Sequence, residues 1–554
     1  MKIKSIMLLA AAVCFGGVVS AQGIAGGHVT GNVQLDAQMS REDSVIGSTD
    51  VPEWLLMNAR ADILYTNGDF SAGLRFEMYQ NPMLGFDAQY KGQGVANYFV
   101  AYNGERLSVT AGYFYEQFGN GLILRSYEDR FLGLDNALVG LNVAFRPWQG
   151  VTLKALAGRQ RCYWELGEGL VRGVDGEVNL NSIIKPLAES KFRATLGAGF
   201  VSKYEADETV LSDADPTMRL NLPLNVGAGS VRADLGYGGW SLQAEYARKG
   251  QDPSELNHYT YREGEALLLN LGYSQRGFSA GVQAKRVENM GFKSVRSQAG
   301  EMLYINYLPA ITKNHTYAFL SMYPYATQVN GEQGVQADVM YKIKKGTLLG
   351  GKYGTDLHLN GSVVYGLDTT VTGGAGTEGY EVNAGLGDLY YADLSLEVAK
   401  KLSKSVKLTA TVAYQEFNPV VEGHEAGLYH NAVAIADLSW KVNKKHALRF
   451  EAEWMGSDSR YAPEEGHTDR RAGDWLMGLV EWNIGTHWFV SASDQYAYND
   501  GIGNYYNVSV GYTQGATRLQ VGYGKQREGL LCIGGVCRQV PASNGLTLSL
   551  TTSF

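Results

Sequence analysis

The sequence lacks the features of several large protein classes. After residue 19 it contains no uncharged apolar run of the roughly 20 residues that a transmembrane helix requires. Basic residues (48) do not outnumber acidic residues (56), so the net charge of −8 gives no support to a nucleic-acid partner. Proline (12) and cysteine (4) are scarce, whereas glycine (69) and tyrosine (35) are abundant. This composition is unusual for a helical globular enzyme and typical of a β-rich protein with one apolar and one polar face.

The first 21 residues have the pattern of an export signal. Two lysines precede an apolar run over residues 6–19, and two small residues follow it. This pattern predicts a secretory signal peptide over residues 1–21, cleaved before Gln22. A lipoprotein signal ending at Cys14 is the alternative, but the apolar run continues well past that cysteine. We therefore expect the mature chain to leave the cytoplasm.

Apolar and polar residues alternate with a period of two through most of the chain. In residues 447–454, four apolar side chains ending at Trp454 alternate with Arg449, Glu451 and Glu453. The same alternation recurs in residues 71–79, 335–343, 406–414 and 518–526. It is typical of β-strands with one apolar face, although a water-soluble sandwich would show it as well.

The connections between these strands distinguish a membrane barrel from a sandwich. Short turns alternate along the chain with long polar connections. The short turns include residues 66–69, 103–106, 147–150, 238–239, 344–346 and 442–445. The long connections include residues 81–94, 116–137, 289–332, 367–388 and 456–473. Outer-membrane barrels have short periplasmic turns and long extracellular loops, whereas a sandwich does not require this order.

We therefore predict an all-β fold in which residues 22–554 form one closed antiparallel transmembrane β-barrel of about 24 strands, within roughly 22 to 26. The first strand is expected near residues 28–39 and the eighth near residues 177–184. An even number of strands places both termini in the periplasm, for a barrel in the outer membrane of a Gram-negative bacterium.

The last ten residues form a closing strand in this interpretation. Leu546, Leu548 and Leu550 alternate with small polar residues, and the chain ends at Phe554. The leucine face is expected to contact outer-membrane lipid, and the outer surface to contact lipopolysaccharide. A last strand with a terminal aromatic residue also resembles the signal that bacterial barrel-assembly machinery recognises.

Two strings match catalytic motifs without the structural context that these motifs need. Residues 277–281 match G-x-S-x-G but begin an alternating strand instead of a strand–turn–helix unit. Residues 374–379 match the dinucleotide glycine pattern in a polar loop with no helix after it. The nine histidines are scattered, without metal-ligand spacing on a common face. We expect no enzymatic activity, cofactor or metal. One acidic loop fits no calcium motif and is expected to be solvated: Glu205, Asp207, Glu208, Asp213 and Asp215.

Two cysteines near the C-terminus predict a disulfide. Cys532 and Cys537 enclose four residues, two of them glycine, in the last long loop of an exported chain. The small ring could present a loop tip to a partner, or it could protect the loop from proteolysis, which is the interpretation that we favour. Cys162 is expected at the outer end of a strand, without a visible partner.

Several loop strings resemble those of a large, poorly characterised family of outer-membrane β-barrels from Bacteroidota. They are residues 113–119, 134–137, 323–328, 350–354 and 532–541. The resemblance covers essentially the whole mature chain. It implies the fold and the membrane but no activity, so no functional residue is transferred from it.

A barrel of this size needs something to fill its lumen. The first strand begins too soon after Gln22 for a plug domain at the N-terminus. Residues 289–332 are the longest connection and unusually apolar, and an exposed loop of that kind would favour aggregation. We therefore predict that this loop is the plug, with these side chains inside: Leu303, Tyr304, Tyr307, Leu308, Tyr317, Phe319, Tyr323 and Tyr325.

The predicted lumen carries both signs of charge. Alternation places these residues on the inner face: Arg60, Asp62, Arg75, Glu77, Asp338, Lys342, Lys407, Arg449, Glu451, Glu453 and Arg518. An ion-selective pore would carry one dominant sign, so mixed signs favour internal salt bridges or a neutral polar solute. Two functions remain open. One is a gated or plugged channel or exporter for a polar solute or polymer. The other is a non-conducting scaffold that binds surface or periplasmic lipoproteins.

Overall fold

The computed structural model describes residues 23–24, 26–212, 215–373, 377, 379–424, 427–459, 471–498, 503–533 and 536–554. The proposed signal peptide lies outside the described residues. Within them, 24 antiparallel strands form one closed sheet, in which the first strand pairs with the last. This confirms the predicted closed barrel and its strand number.

The 24 strands follow one another around the barrel in chain order. They are β1 Gly27–Ser40, β2 Leu56–Asn67, β3 Phe70–Asn81, β4 Gly92–Asn103, β5 Leu107–Phe114, β6 Leu138–Phe145, β7 Val151–Cys162, β8 Glu165–Asn179, β9 Phe192–Tyr204, β10 Asn225–Tyr237, β11 Trp240–Lys249, β12 Gly264–Gln275, β13 Phe278–Glu288, β14 Gly331–Ile343, β15 Thr355–Val371, β16 Tyr380–Lys401, β17 Val406–Phe417, β18 Tyr429–Lys441, β19 His446–Ser459, β20 Trp475–Ile484, β21 Trp488–Ala497, β22 Gly503–Gln514, β23 Thr517–Gln526 and β24 Ser543–Ser553.

Alternation along each strand separates the two faces of the wall. On β19, Phe450 and Trp454 are exposed on the outside, whereas Glu451 and Glu453 are buried inside. Successive side chains of a strand point to opposite faces, so the apolar row forms the exterior and the polar row lines the lumen.

The barrel closes where β24 pairs with β1, and the register of this pair places the leucines of β24 beside outward apolar residues of the neighbouring strands. Leu550 lies opposite Leu35 of β1 and Leu519 of β23. Phe554 continues this row, because it exchanges two backbone hydrogen bonds with Gly31 of 2.9 and 3.0 Å. A Cβ at Gly31 would lie 2.3 Å from the Phe554 ring, so the ring packs directly over this glycine.

The two ends of the barrel differ in their connections. At one end, which we call the turn end, most connections have two to five residues, and β1 begins and β24 ends there. The opposite loop end carries the long connections. Four connections break the order: residues 163–164 and 498–502 are short at the loop end, whereas 180–191 and 344–354 are long at the turn end.

The predicted position of the eighth strand, near residues 177–184, is wrong. The strand is β8, and residues 180–191 contain two single-turn helices, Leu180–Ile183 and Lys185–Ala188. The alternation is hidden in β8 because three inward positions are glycine. A Cβ on Gly169 would lie 1.9 Å from the Ser294 carbonyl oxygen.

The loop end carries further short elements. Three 3-10 turns occur at Ala88–Tyr90, Glu255–Asn257 and Pro419–Glu422. Small hairpins pair Gln117–Phe118 with Leu124–Arg125, Glu128–Asp129 with Leu134–Asp135, and Gly529–Ile533 with Val536–Val540. Gly23–Ile24 pairs with the start of β1 at the turn end. No helix in the described part of the chain is both long and apolar enough to cross a membrane.

Candidate functional site

Residues 289–330, which connect β13 to β14, lie inside the barrel, and we call them the plug segment. At its base, the Asn289 N–H donates to the Asn330 carbonyl (3.0 Å). Further along, the Tyr304 carbonyl accepts a hydrogen bond of 2.7 Å from buried Gln160 of β7, and the Phe319 ring packs against buried Trp475 of β20. The segment therefore lies against the inner wall over more than half of the barrel.

The apolar run chosen from the sequence is enclosed by this wall. Leu303, Leu308, Phe319, Tyr323 and Tyr325 are buried. The structure leaves three further side chains half-buried: Tyr304, Tyr307 and Tyr317.

Aromatic residues of the wall receive the second half of the plug segment. The Tyr323 ring stacks on Tyr429 of β18 and lies close to Phe417 of β17, with centroids 5.2 and 5.4 Å apart. Tyr325 contacts Tyr391 of β16 at 5.6 Å. These pairs add to the burial of apolar area that holds the segment in place.

Buried polar groups of the wall fix the backbone of the plug segment. The carboxylate of Glu453, 2% exposed, accepts hydrogen bonds of 2.9 Å from the backbone N–H groups of Ala318 and Phe319. His315 Nε2 lies 3.0 Å from the Asp393 carboxylate on β16. Such charge-assisted contacts in a buried place are expensive to leave unmade.

A second set of charges anchors the start of the plug segment. Arg296 forms an ion pair of 3.0 Å with Glu205, and its backbone N–H donates to the same carboxylate (2.9 Å). The expectation that Glu205 is solvated is therefore wrong, because the plug segment supplies a buried cationic partner that the local sequence does not show. Lys203 pairs with Asp252 at 2.8 Å and donates to the Lys293 carbonyl at 2.9 Å.

Residues 115–137, which connect β5 to β6, also enter the lumen, and we call them the second interior segment. Glu128 on this segment pairs with Arg60 of β2 and with Arg75 of β3 (3.0 Å). Burial alone would raise the pKa of Glu128, but these two arginines outweigh burial and hold the pKa below its ordinary value. Asp135 accepts from Arg161 of β7 at 2.7 Å, although burial raises its pKa.

The acidic groups Glu77, Glu128 and Asp135 lie close enough together to hold a cation. Arginines already occupy this position: Arg161 pairs with Glu77 at 2.7 Å, and Arg75 lies 3.5 Å from both Glu77 and Asp135. The cluster is therefore neutralised by side chains of the wall.

The two interior segments bind each other. The Arg125 N–H donates to the Ile305 carbonyl (2.8 Å), and the Tyr307 N–H donates to the Gly121 carbonyl (3.0 Å). The Arg125 guanidinium lies over the Tyr307 ring, 4.0 Å from its centroid. The sequence-based prediction named only residues 289–332 as the plug, but residues 115–137 share the interior with them. The same criterion of length and apolar content, applied to that loop, would have found it.

The predicted disulfide between Cys532 and Cys537 is present. It joins the two strands of residues 529–540, which we call the cap hairpin. Val536 packs on a buried cluster that includes Leu303 of the plug segment and Leu134 of the second interior segment. The hairpin therefore lies over the interior segments. Cys162 is free and ends β7, as expected.

Most of the remaining charged residues predicted for the lumen form ion pairs within one strand or across neighbouring strands. Arg449 pairs with Asp437 (3.0 Å), Glu481 (3.1 Å) and Glu451. Lys342 pairs with Asp356 at 2.7 Å, and Asp338 pairs with His358. Arg518 lies over the Phe489 ring, and Lys407 lies opposite Ser439 on the neighbouring strand.

A cavity of about 560 Å³ remains between the plug segment, the cap hairpin and the wall of β1, β23 and β24. Its lining includes Gln38, Lys313, His315, Tyr391, Arg538 and Thr547. The volume is in the range of pockets that hold small molecules.

The wall beside this cavity, which we call the open sector, differs from the wall under the plug segment. On β16 and β17, Ser395 and Gln415 are fully buried, whereas Thr547 of β24 and Arg518 of β23 are exposed. Apart from Asp36 and Arg518, the inward positions of β22, β23, β24 and β1 are mostly hydroxyl and amide side chains: Ser509, Thr513, Gln520, Thr547, Ser549, Thr551, Asn32, Gln34 and Gln38.

Comparison with solved structures finds other large barrels. A mutant of the ferric enterobactin receptor from Pseudomonas aeruginosa is 10% identical, with a TM-score of 0.43, covering 95% of this chain and 80% of that one. The P pilus usher translocation pore is 11% identical, with a TM-score of 0.41 and coverage of 95% and 99%. Copper transporter OprC is 8% identical, with a TM-score of 0.41 and coverage of 97% and 82%.

These likenesses concern the fold alone, and no function is transferred from them. Comparison with curated proteins gives no match. The sequence does match one family, over residues 1–554. The chain therefore belongs to DUF6029, a family of unknown function.

Proposed function

We propose that the protein is an outer-membrane channel for a neutral polar solute, closed at rest by the plug segment and the cap hairpin. The division of the lumen carries this proposal. Gln415 of β17 lies fully buried beneath the plug segment, whereas Thr547 and Arg518 of the open sector are exposed. A barrel that served only as a scaffold would not require an accessible polar strip along its inner wall.

The exterior supports a membrane location. Leu394 of β16, Val412 of β17 and Val508 of β22 lie on outward rows and are 57%, 56% and 48% exposed. Apolar rows that continue around a closed barrel are stable only in lipid. In this proposal the turn end faces the periplasm, the loop end faces lipopolysaccharide, and barrel-assembly machinery recognises the last strand. Origin in Bacteroidota remains a prediction.

The pairing of charges supports a neutral solute. Charged residues under the plug segment have opposite charges beside them, such as Arg449 with Asp437 and Glu481. The open sector presents mainly hydroxyl and amide groups, which exchange hydrogen bonds with a neutral polar molecule and create no field of one sign.

Replacing residues 303–325 with a short Gly/Ser linker tests this function. We expect the intact protein to be nearly silent in planar bilayers and the variant to show large steady conductance. Swelling of liposomes in an uncharged sugar should be faster than in a salt of similar size. As a second measurement, cells that produce the variant should become sensitive to large antibiotics.

The scaffold with bound lipoproteins is the alternative, and the same experiment decides between the two. Large steady conductance of the intact protein would show that the plug segment does not close it. No change on replacement, together with lipoproteins that co-purify from native membranes, would favour the scaffold.

A further inference from the structure

Three connections at the turn end carry an unusual concentration of lysine. They are residues 344–354, 402–405 and 442–445, which join β14 to β15, β16 to β17 and β18 to β19. Together with the adjoining strand ends, residues 342–356, 400–407 and 441–446 contain eleven lysines and one acidic residue, Asp356. We call this surface the lysine rim.

Each connection of the lysine rim also exposes an aliphatic side chain. Leu348 is 97% exposed and Leu349 is 66% exposed, in the longest of the three. Leu402 and Val442 are 53% and 41% exposed in the other two. Aliphatic residues surrounded by lysine form an amphipathic surface, which is typical of proteins that contact a membrane interface.

The longest connection is an ordered turn. The Gly346 N–H donates to the Gly351 carbonyl (2.7 Å), and the Gly351 N–H donates to the Thr347 carbonyl (2.8 Å). Gly346 and Gly351 have φ of 84° and 58°, which other residues adopt poorly. The backbone thus fixes the two leucines in their exposed positions, where water alone would disfavour them.

This turn leans towards the outside of the barrel. The Leu349 carbonyl accepts hydrogen bonds from Thr355 Oγ1 (2.8 Å) and Lys400 Nζ (3.1 Å). Thr355 and Lys400 lie opposite each other in the same alternating row as Leu359 and Leu396, which are outward and exposed. Leu348 and Leu349 therefore stand beside the lipid-facing surface and away from the lumen.

We propose that the lysine rim binds anionic phospholipid headgroups of the leaflet at the turn end, with Leu348 and Leu349 in the acyl region. The proposal rests on the membrane location proposed above. Lysine side chains reach the phosphate level while their stems lie along apolar surface, and a cluster of them selects anionic over zwitterionic lipid. The outward lean of the leucines favours lipid over an acidic periplasmic protein.

The test uses the full chain in nanodiscs that contain brominated phosphatidylglycerol or brominated phosphatidylcholine. Trp440, exposed at the turn end of β18, reports the lipid beside the rim. The fluorescence of Trp440 is isolated by subtracting the signal of a Trp440→Phe variant. The brominated lipid beside Trp440 quenches this fluorescence, and the ratio of quenching by the two lipids gives the preference for phosphatidylglycerol over phosphatidylcholine.

Four lysines of the rim are replaced together: Lys344→Gln, Lys345→Gln, Lys444→Gln and Lys445→Gln. We expect the preference for phosphatidylglycerol to fall by at least about fivefold. The matched control removes four cations at the turn end in other sectors: Arg106→Gln, Arg146→Gln, Lys191→Gln and Arg193→Gln. It should stay within about twofold of the intact protein.

Three outcomes would overturn the proposal. They are no preference in the intact protein, an equal loss in both variants, or an unchanged preference accompanied by loss of a co-purifying acidic protein. Failure of the chain to enter nanodiscs would instead contradict the membrane location, so the two failures can be told apart.

Discussion

At the scale of single residues, glycines on the inner face of β8 determine how closely the two interior segments approach the wall. A Cβ at Gly173 would lie 2.9 Å from the Phe118 ring, and one at Gly167 would lie 3.1 Å from Leu303. Gly169 is the tightest position, because its neighbour is the Ser294 backbone carbonyl. Backbone can move less than the end of a side chain, so this position tolerates no larger residue.

Gly169→Ala should displace the plug segment. The added methyl group meets the Ser294 carbonyl oxygen at 1.9 Å, and relieving such overpacking costs about 1–3 kcal/mol. Limited proteolysis with mass mapping should then show faster cleavage within residues 289–330. Gly176→Ala on the same strand is the control, because its nearest neighbour, the Leu153 side chain, lies 3.5 Å away. Equal cleavage in both variants would contradict the close approach.

Glu453→Gln should loosen the second half of the plug segment. An amide has one accepting oxygen, so one of the two N–H groups now bound at 2.9 Å, on Ala318 and Phe319, is left unpaired. The loss is about 1–3 kcal/mol, which corresponds to a rise in open probability of roughly 5- to 150-fold. Planar-bilayer recording measures it, and Glu177→Gln, at a half-exposed glutamate that pairs with Arg232, is the control. A silent Glu453→Gln protein would show that this carboxylate does not hold the plug.

At the scale of elements, the strands were predictable because a strand shows its two environments in its own sequence. β19 alternates four apolar residues with Arg449, Glu451 and Glu453, and this is enough to place both faces. β8 was misplaced because its inward residues are small for a reason that lies elsewhere in the chain, in the two interior segments.

The interior segments were only partly predictable. Their apolar content indicated burial of residues 289–332, but their partners are distant in sequence, such as Glu205 for Arg296 or Glu128 for Arg60. Alternation assigns a face to Arg60 but does not show which loop will meet it. Pairings of this kind depend on the closed barrel, and no local pattern encodes them.

The disulfide should stabilise the cap hairpin and leave the barrel unaffected. A ring as short as Cys532–Cys537 is worth about 2 kcal/mol by chain entropy, so Cys532→Ser should make opening of the hairpin roughly thirtyfold more frequent. Val536 and Cys162 pack against the same buried cluster, so the Cys162 thiol should react faster with a small alkylating reagent.

Mass spectrometry after timed alkylation measures the rate at which the Cys162 thiol is alkylated. Ser405→Ala, in a connection at the turn end, should leave the rate unchanged. An unchanged rate in Cys532→Ser would mean that the hairpin stays closed without its disulfide. Loss of the folded barrel would contradict the view that the hairpin is an addition to a complete wall.

At the scale of the whole molecule, the lumen has two parts with different chemistry. Under the plug segment, buried charges are matched, as Glu453 is by two backbone N–H groups. The open sector on β22, β23, β24 and β1 is polar and mostly neutral, and Thr547 and Arg518 within it are exposed. The sequence predicted mixed charge over the whole inner face, but only the closed barrel shows that four neighbouring strands, β22, β23, β24 and β1, carry few of these charges.

Two closures that lie side by side follow from this division, and they can be separated. Shortening residues 529–540 to a Gly/Ser turn should uncover only the open sector and give a small steady conductance, well below that of the protein without residues 303–325.

Adding Ser549→Trp to the shortened protein should remove most of that conductance, because Ser549 faces the lumen between Asp36 and Gln520. Ser439→Trp is the matched control: Ser439 is also inward, but it follows Asp437, whose carboxylate accepts a hydrogen bond of 3.5 Å from Tyr317 of the plug segment. Single-channel recording of the three proteins in planar bilayers decides the matter. If both tryptophans block equally, the residual path is not confined to the open sector, and if neither does, the solute passes elsewhere.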